Sequence, residues 1–250
     1  MDDADSSAEN IKRFVNTLLN NTVNLVRLGD DMSPCGLCSG VLIPRNGRVF
    51  VLSAYHSLKK GRYVLETNAV LEGAGQTIAI PLNSVFHTNR VILKPGTFQI
   101  ESEQEIDFGW CQLDIDRACK EFAANPELRG RKIELPYYQG PLSDRPMKGE
   151  SYGYAAWNRG QIIDGYARFL ERSASYELDM KFDGLDSESG LYRFALARDH
   201  QGHRYYKGAS GAPIADPTGK IVSLLIEGRE GDDFLWGLPL ADYVAFVGIE

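Results

Sequence analysis

Hydrophobic and polar positions change their spacing once, near the start of the chain. Ile11, Phe14, Val15, Leu18 and Leu19 recur at helical intervals, and Ser6-x-x-Glu9 has the form of a capping box. The spacing predicts a short amphipathic helix over residues 8–20. Beyond it come short β-rich runs separated by turn residues, at 23–28, 40–43, 49–53, 63–66, 77–81 and 107–113. Pro44-Arg45-Asn46-Gly47 lies between two of these runs and is a hairpin signal.

The rhythm breaks over residues 117–147. A helical turn or two fits 117–124, and Pro126, Gly130, Pro136, Gly140, Pro141 and Pro146 then mark loop. Strand-like runs resume at 150–154, 162–170, 176–180, 192–197, 212–215, 221–226 and 234–239, and 242–247 closes as a short helix. The expected division is a helical segment over 1–22, a first strand-rich unit over 23–116, a linker over 117–147 and a second unit over 148–250. Two sets of short strands without regular strand–helix alternation argue for an all-β sandwich or barrel pair and against an α/β sheet. Closed barrels also remove exposed strand edges.

Composition narrows the function classes. With 250 residues, 43% hydrophobic and 24% charged, the chain has material for real cores and is not disordered. The net charge is −7 and the basic residues are scattered, which argues against nucleic acid or a membrane as partner. No apolar run approaches the roughly 18–20 residues that span a bilayer. The acidic start Met1-Asp2-Asp3-Ala4-Asp5 is unlike a secretory leader, so a cytoplasmic location is expected.

Three local patterns carry chemistry, and they occur in one order. An apolar strand delivers a histidine in Val51-Leu52-Ser53-Ala54-Tyr55-His56. An aspartate opens a hydrophobic strand in Ile106-Asp107-Phe108-Gly109-Trp110. A serine sits between glycines before a strand in Gly208-Ala209-Ser210-Gly211-Ala212-Pro213. A serine hydroxyl is a poor nucleophile without an adjacent base, and imidazole is the usual one. A carboxylate holds that base in one tautomer and stabilises its cation. Glycine permits the backbone turn that lets the amides of Gly208 and Ser210 converge on a developing oxyanion. The expected catalytic set is therefore His56, Asp107 and Ser210. His87, His200 and His203 are the alternative bases, and no strand-to-loop pattern presents His203.

These segments resemble the trypsin-like serine peptidases. Leu52-Ser53-Ala54-Tyr55-His56 is similar to that family's Thr-Ala-Ala-His, and Ile106-Asp107-Phe108-Gly109 to its Asp-Ile-Ala-Leu. Gly208-Ala209-Ser210-Gly211-Ala212-Pro213 is similar to its Gly-Asp-Ser-Gly-Gly-Pro. Cys38-Ser39-Gly40-Val41-Leu42-Ile43 resembles the strand before the histidine, and Gly153-Tyr154 with Gly165 an early hairpin of the second unit. The resemblance implies an all-β chain of two six-stranded antiparallel barrels, with the triad in the cleft between them and short helices at either end. It also implies a primary pocket lined by residues around Arg204–Lys207 and by the wall strand Ile226, Glu227 and Gly228, the position six before the serine falling near Arg204. An inward Arg204 or His203 would suit an acidic substrate side chain and a dominant Glu227 a basic one; the alternative is that all three face solvent.

The departures are informative. In the secreted branch of that family a cysteine follows the histidine; here it is Ser57, so Cys38 loses the partner the family would give it. Where that branch places an aspartate before the nucleophile this chain has Ala209, so no zymogen-type ion pair can form and control falls to expression, a ligand, a regulatory protein partner or the N-terminal segment. Cys35-Gly36-Leu37-Cys38 has half-site spacing for zinc, but Cys111 and Cys119 complete no common knuckle, and free thiols are the default expectation over zinc or a disulfide. The expected activity is thus a cofactor-free serine endopeptidase acting on a protein or peptide substrate, against a catalytically silent binding module or an esterase using the same triad.

Overall fold

The computed structural model describes residues 2–59, 61–70, 77–124, 134–163, 169–228 and 231–248. Helix α1 (Asp2–Asn20) starts earlier than the capping box suggests. Acidic residues at 2, 3 and 5 suit the positive end of a helix, which favours the extra turn. Most of its apolar stripe is buried as the spacing predicts: Leu18 is fully buried, with Phe14, Val15 and Leu19 packed against the same core, while Ile11 is exposed.

The first half holds β1 (Val23–Leu28), β2 (Pro34–Arg45), β3 (Arg48–Ala54), the one-turn helix α2 (Tyr55–Leu58), β4 (Arg62–Val70), β5 (Thr77–Pro81), β6 (Phe86–Leu93) and β7 (Ile100–Leu113). They form one sheet in the order β5-β4-β1-β2-β3-β7-β6. Every registered pair in it is antiparallel. The turn joining β2 to β3 has Asn46 at φ 52° and Gly47 at φ 72°, the left-handed pair a two-residue hairpin needs.

The sheet has seven strands, one more than the resemblance implies. The addition is β6 with the leading part of β7, where residues 100–105 are all exposed. A solvated hairpin needs no buried face, so it leaves no alternating apolar signature to read.

Helix α3 (Ile115–Ala124) follows, and the rest of the expected linker runs partly outside the described residues. Its described end is pinned to both halves. Tyr138 donates its amide to the Leu42 carbonyl at 2.9 Å, and its hydroxyl accepts the Ile221 amide at 3.2 Å.

The second half is a closed antiparallel barrel in the order β10-β13-β12-β11-β8-β9, six strands as expected. Its members are β8 (Ser151–Ile163), β9 (Phe169–Leu185), β10 (Tyr192–Ala195), β11 (Pro213–Ala215), β12 (Ile221–Gly228) and β13 (Phe234–Pro239). The run at 162–170 is not one strand: Ile163 pairs with Phe169 and Ile162 with Leu170, so it forms the two sides of a hairpin. Gly165, expected in an early hairpin, lies outside the described residues. A one-turn helix α4 (His203–Tyr206) precedes the serine, and α5 (Leu240–Tyr243) with a 3₁₀ turn (Val244–Val247) stands where a closing helix was expected.

The largest core belongs to neither half alone. Val41, Ile43, Leu52 and Phe108 share it with Ile221, Leu224, Leu238 and Leu18 of α1. Glycine is essential at one point of this junction. Gly211 has φ +88°, and a Cβ there would fall 2.2 Å from the Ser39 carbonyl oxygen.

Candidate active site

His56 owes its place to the end of β3. Ala54 is extended (φ −70°, ψ 127°), after which α2 makes a single turn anchored by buried Leu58. β3 pairs with β7 so that Ala54 faces Phe108 and Ser53 faces Gly109. A Cβ on Gly109 would come 3.1 Å from the Tyr55 Cα, so the glycine lets α2 settle on β7. Asp107 lies between buried Ile106 and Phe108, and alternation turns its carboxylate toward the histidine.

The contact between them is double. Asp107 Oδ1 accepts the His56 backbone N–H at 2.6 Å, and Oδ2 meets His56 Nδ1 at 2.5 Å. An ionised carboxylate only accepts, so Nδ1 carries the proton and Nε2 is left with a free lone pair. That is the tautomer a general base requires.

Ser210 is held by a turn clamped from both halves of the fold. Lys207 (φ −65°, ψ 118°) and Gly208 (φ +98°) make a type II turn closed by the Ala209 amide on the Tyr206 carbonyl at 3.0 Å. Ser39 of β2 donates its amide to the Ser210 carbonyl at 3.0 Å and its hydroxyl to the Gly208 carbonyl at 2.9 Å. Ser53 donates its hydroxyl to the Ser39 carbonyl at 2.6 Å. From the other side, the Gly211 amide donates to the Leu225 carbonyl at 2.7 Å. The amides of Gly208 and Ser210 donate to no acceptor among the described residues, as donors reserved for a ligand would.

His56, Asp107 and Ser210 line one cavity of about 430 Å³. The Ser210 hydroxyl rests on the Ile226 carbonyl at 3.3 Å instead of on His56. Catalytic hydrogen bonds commonly tighten only once substrate binds.

The cavity continues along β12 past Leu225, Ile226, Glu227 and Gly228, with Leu235, Tyr206 and His203 completing its walls. Arg204 is exposed on α4 and is not among the residues that line it. Ile226, Glu227 and Gly228 of the expected wall therefore line it, Tyr206 does so from the stretch 204–207, and Arg204 stays outside. A Cβ at Gly228 would fall 2.6 Å from Leu235 Cδ2, so the glycine keeps this part of the cavity open. Sequence reasoning missed Leu225 and Leu235, whose apolar character is indistinguishable from core. Tyr206 is fixed from below, donating its hydroxyl to Glu177 Oε1 at 2.9 Å, and burial holds its phenol above the ordinary pKa. Glu177, 2% exposed, also takes both Nε (2.8 Å) and Nη2 (3.1 Å) of Arg198.

The other histidines are placed elsewhere. His87 stacks flat on Tyr55 with ring centroids 4.1 Å apart, and His200 accepts the Gly202 amide on Nδ1 at 3.1 Å. The four cysteines are free thiols, Cys38 and Cys111 buried; burial pushes both thiols up to about 12. Among the described residues no group of three or more His, Cys, Asp or Glu side chains is placed to hold a metal ion, and no helix is long and apolar enough to cross a membrane.

No family model matches the chain, and no curated protein sequence matches it. Solved structures do. The chain is similar to Deg5, with 13% identity, a TM-score of 0.51 and coverage of 96% of this chain and 92% of that one. It is also similar to neuropsin, a serine protease expressed in the limbic system of mouse brain, with 13% identity, a TM-score of 0.56 and coverage of 93% and 94%. A third likeness, to the serine endoprotease from Yersinia pestis, has 12% identity and a TM-score of 0.52; the chain spans 65% of that protein's length. At such identities the likeness concerns the fold, and this chain has the two-barrel, trypsin-like fold.

Proposed function

We propose that the chain is a serine endopeptidase. The observation that carries the reading is the doubly bonded Asp107–His56 pair, which opens with Ser210 on one cavity at the junction of the two halves. In the proposed reaction the Ser210 hydroxyl leaves the Ile226 carbonyl and turns to His56 Nε2. Its oxygen attacks the scissile carbonyl as its proton passes to the imidazole, and Asp107 stabilises the resulting cation. The negative charge that forms on the carbonyl oxygen is met by the amides of Gly208 and Ser210. Collapse breaks the C–N bond, with the amine taking the proton from His56. Water then repeats the sequence on the acyl-enzyme and releases the acid.

Cytoplasmic location belongs to the same reading, and four free thiols suit a reducing compartment. The second reading, a binding module without catalysis, draws on the Ser210 hydroxyl lying on Ile226. A fluorophosphonate probe decides between them. Labelling that disappears in Ser210→Ala and weakens severely in His56→Ala supports the hydrolase. A native protein that takes no label, and cleaves no member of a peptide library, belongs to the second reading. An esterase with the same triad would label but leave the peptide library intact.

A further inference from the structure

His56 has a second recess on its other flank. It is about 230 Å³ in volume, and Arg27, Cys38, Ser57, Tyr63 and Lys207 contribute to its walls together with His56. His56 is the residue it shares with the larger cavity. Arg27 and Lys207 bring two positive charges, and none of the lining residues is a carboxylate, in a chain whose net charge is −7. Local sign and overall sign are thus opposed at this place.

Arg27 is held in position. Its Nε donates to Cys35 Sγ at 3.3 Å, and its stem runs beside Gly36 and Gly61. A Cβ on Gly36 would lie 3.1 Å from Arg27 Nε, and one on Gly61 would lie 3.2 Å from Arg27 Cδ. The Tyr63 hydroxyl donates to the Ser57 carbonyl and ties β4 to the histidine turn. A cation already fixed loses little freedom when it meets an anion.

Resting on the assignment of Ser210 as nucleophile, the direction of the substrate follows from the proton. The acyl side chain occupies the cavity walled by β12. The leaving amine must receive its proton from His56, so the residues after the scissile bond depart across His56 toward the recess. We infer that this recess is a leaving-group-side subsite that selects a side-chain carboxylate, an aspartate or glutamate in the first or second position after the cleaved bond.

The test uses the full chain and a library of C-terminally amidated peptides, so that no chain-end carboxylate competes. Positions before the scissile bond are randomised, and the two positions after it carry Glu, Gln or Lys. The expected kcat/KM for Glu exceeds that for Gln by about tenfold, with Lys lower still, and the ratio shrinks as salt is raised. Arg27→Met and, separately, Lys207→Gln should each reduce the Glu-to-Gln ratio severalfold. Lys207 is exposed, so its variant keeps the question decidable if Arg27→Met fails to fold. A nitrophenyl ester, which has no residue after the cleaved bond, separates the two levels of the reading. Ester turnover with equal cleavage of Glu, Gln and Lys peptides overturns the subsite and leaves the nucleophile standing. No ester turnover and no fluorophosphonate labelling overturns both.

Discussion

Replacing Asp107 by asparagine tests the site at its geometric centre. The carboxylate accepts two N–H groups of His56, the backbone amide at 2.6 Å and Nδ1 at 2.5 Å. Asparagine has one acceptor. If its oxygen stays on the backbone amide, its NH₂ faces Nδ1 and forces that nitrogen to accept. The ring proton then moves to Nε2, where the lone pair is needed. If the amide is flipped, two donors face each other at the backbone. The backbone N–H cannot change its role whereas the ring can change tautomer, so the first arrangement is the one expected; in it His56 is lost as a base, and kcat/KM should fall by about 10⁴, close to 5.4 kcal/mol in the barrier. Stability should hardly respond, because the His56 and Asp107 side chains are 44% and 25% exposed and such a pair contributes at most about 1 kcal/mol. The assay pairs kcat/KM on a fluorogenic peptide with urea unfolding of the same preparation. A loss below about tenfold in a folded variant would refute the orienting role. A collapse of stability in parallel with activity would refute the claim that the pair works through chemistry.

Three further outcomes are expected. Gly211→Ala should destabilise by several kcal/mol in chemical unfolding, since the position combines φ +88° with a Cβ placed 2.2 Å from both the Ser39 oxygen and the Ser53 hydroxyl; an unchanged midpoint would contradict the close approach. The buried thiols Cys38 and Cys111, both raised to about 12, stay protonated in the fold after the unfolded chain begins to ionise near pH 9, so the unfolded state binds fewer protons there and stability falls as pH rises. Each should contribute a slope near 1.4 kcal/mol per pH unit between that value and 12, and Cys38→Val should remove its share in unfolding curves taken at pH 8 and 10.5. Removing the partner of a carboxylate that is 2% exposed, in Arg198→Met, should cost about 3 kcal/mol, whereas Arg145→Met, from an exposed pair with Asp242, should cost under about 1; equal midpoints for the two would show that Glu177 is not the buried anchor described.

The elements that face a core were readable because burial imposes a period. The runs at 23–28, 77–81 and 234–239 match β1, β5 and β13 end for end. Asp107 was found because Ile106, Phe108, Cys111 and Leu113 behind it are buried in one strand. The first part of β7 and all but one residue of β6 are exposed, so no buried face imposed an alternation there, although β6 carries Phe86 and the run Val91-Ile92-Leu93. The primary cavity shows a different limit. The resemblance implied Arg204 in its wall, with exposure to solvent as the alternative, and α4 winds that stretch into a helical turn. Neighbours on a helix differ by about 100°, so the turn sends Arg204 outward while Tyr206 lines the cavity. The recess beside His56 was illegible for another reason. Arg27 and Lys207 lie far apart in sequence, and only the pairing of β1 with β2 and the Ser39 clamp bring them to the same histidine.

The clamp has a consequence for biosynthesis. Ser39 and Gly208 are joined across 169 residues, and the core beneath them draws on both halves and on α1. Closing so long a loop is slow, because its entropy must be spent before the contacts that repay it exist. The turn that carries Ser210 is thus closed locally by the Ala209 amide on the Tyr206 carbonyl but clamped in place only by distant β2. The arrangement around Ser210 is therefore completed only when both halves have folded, and a half-folded copy lacks it.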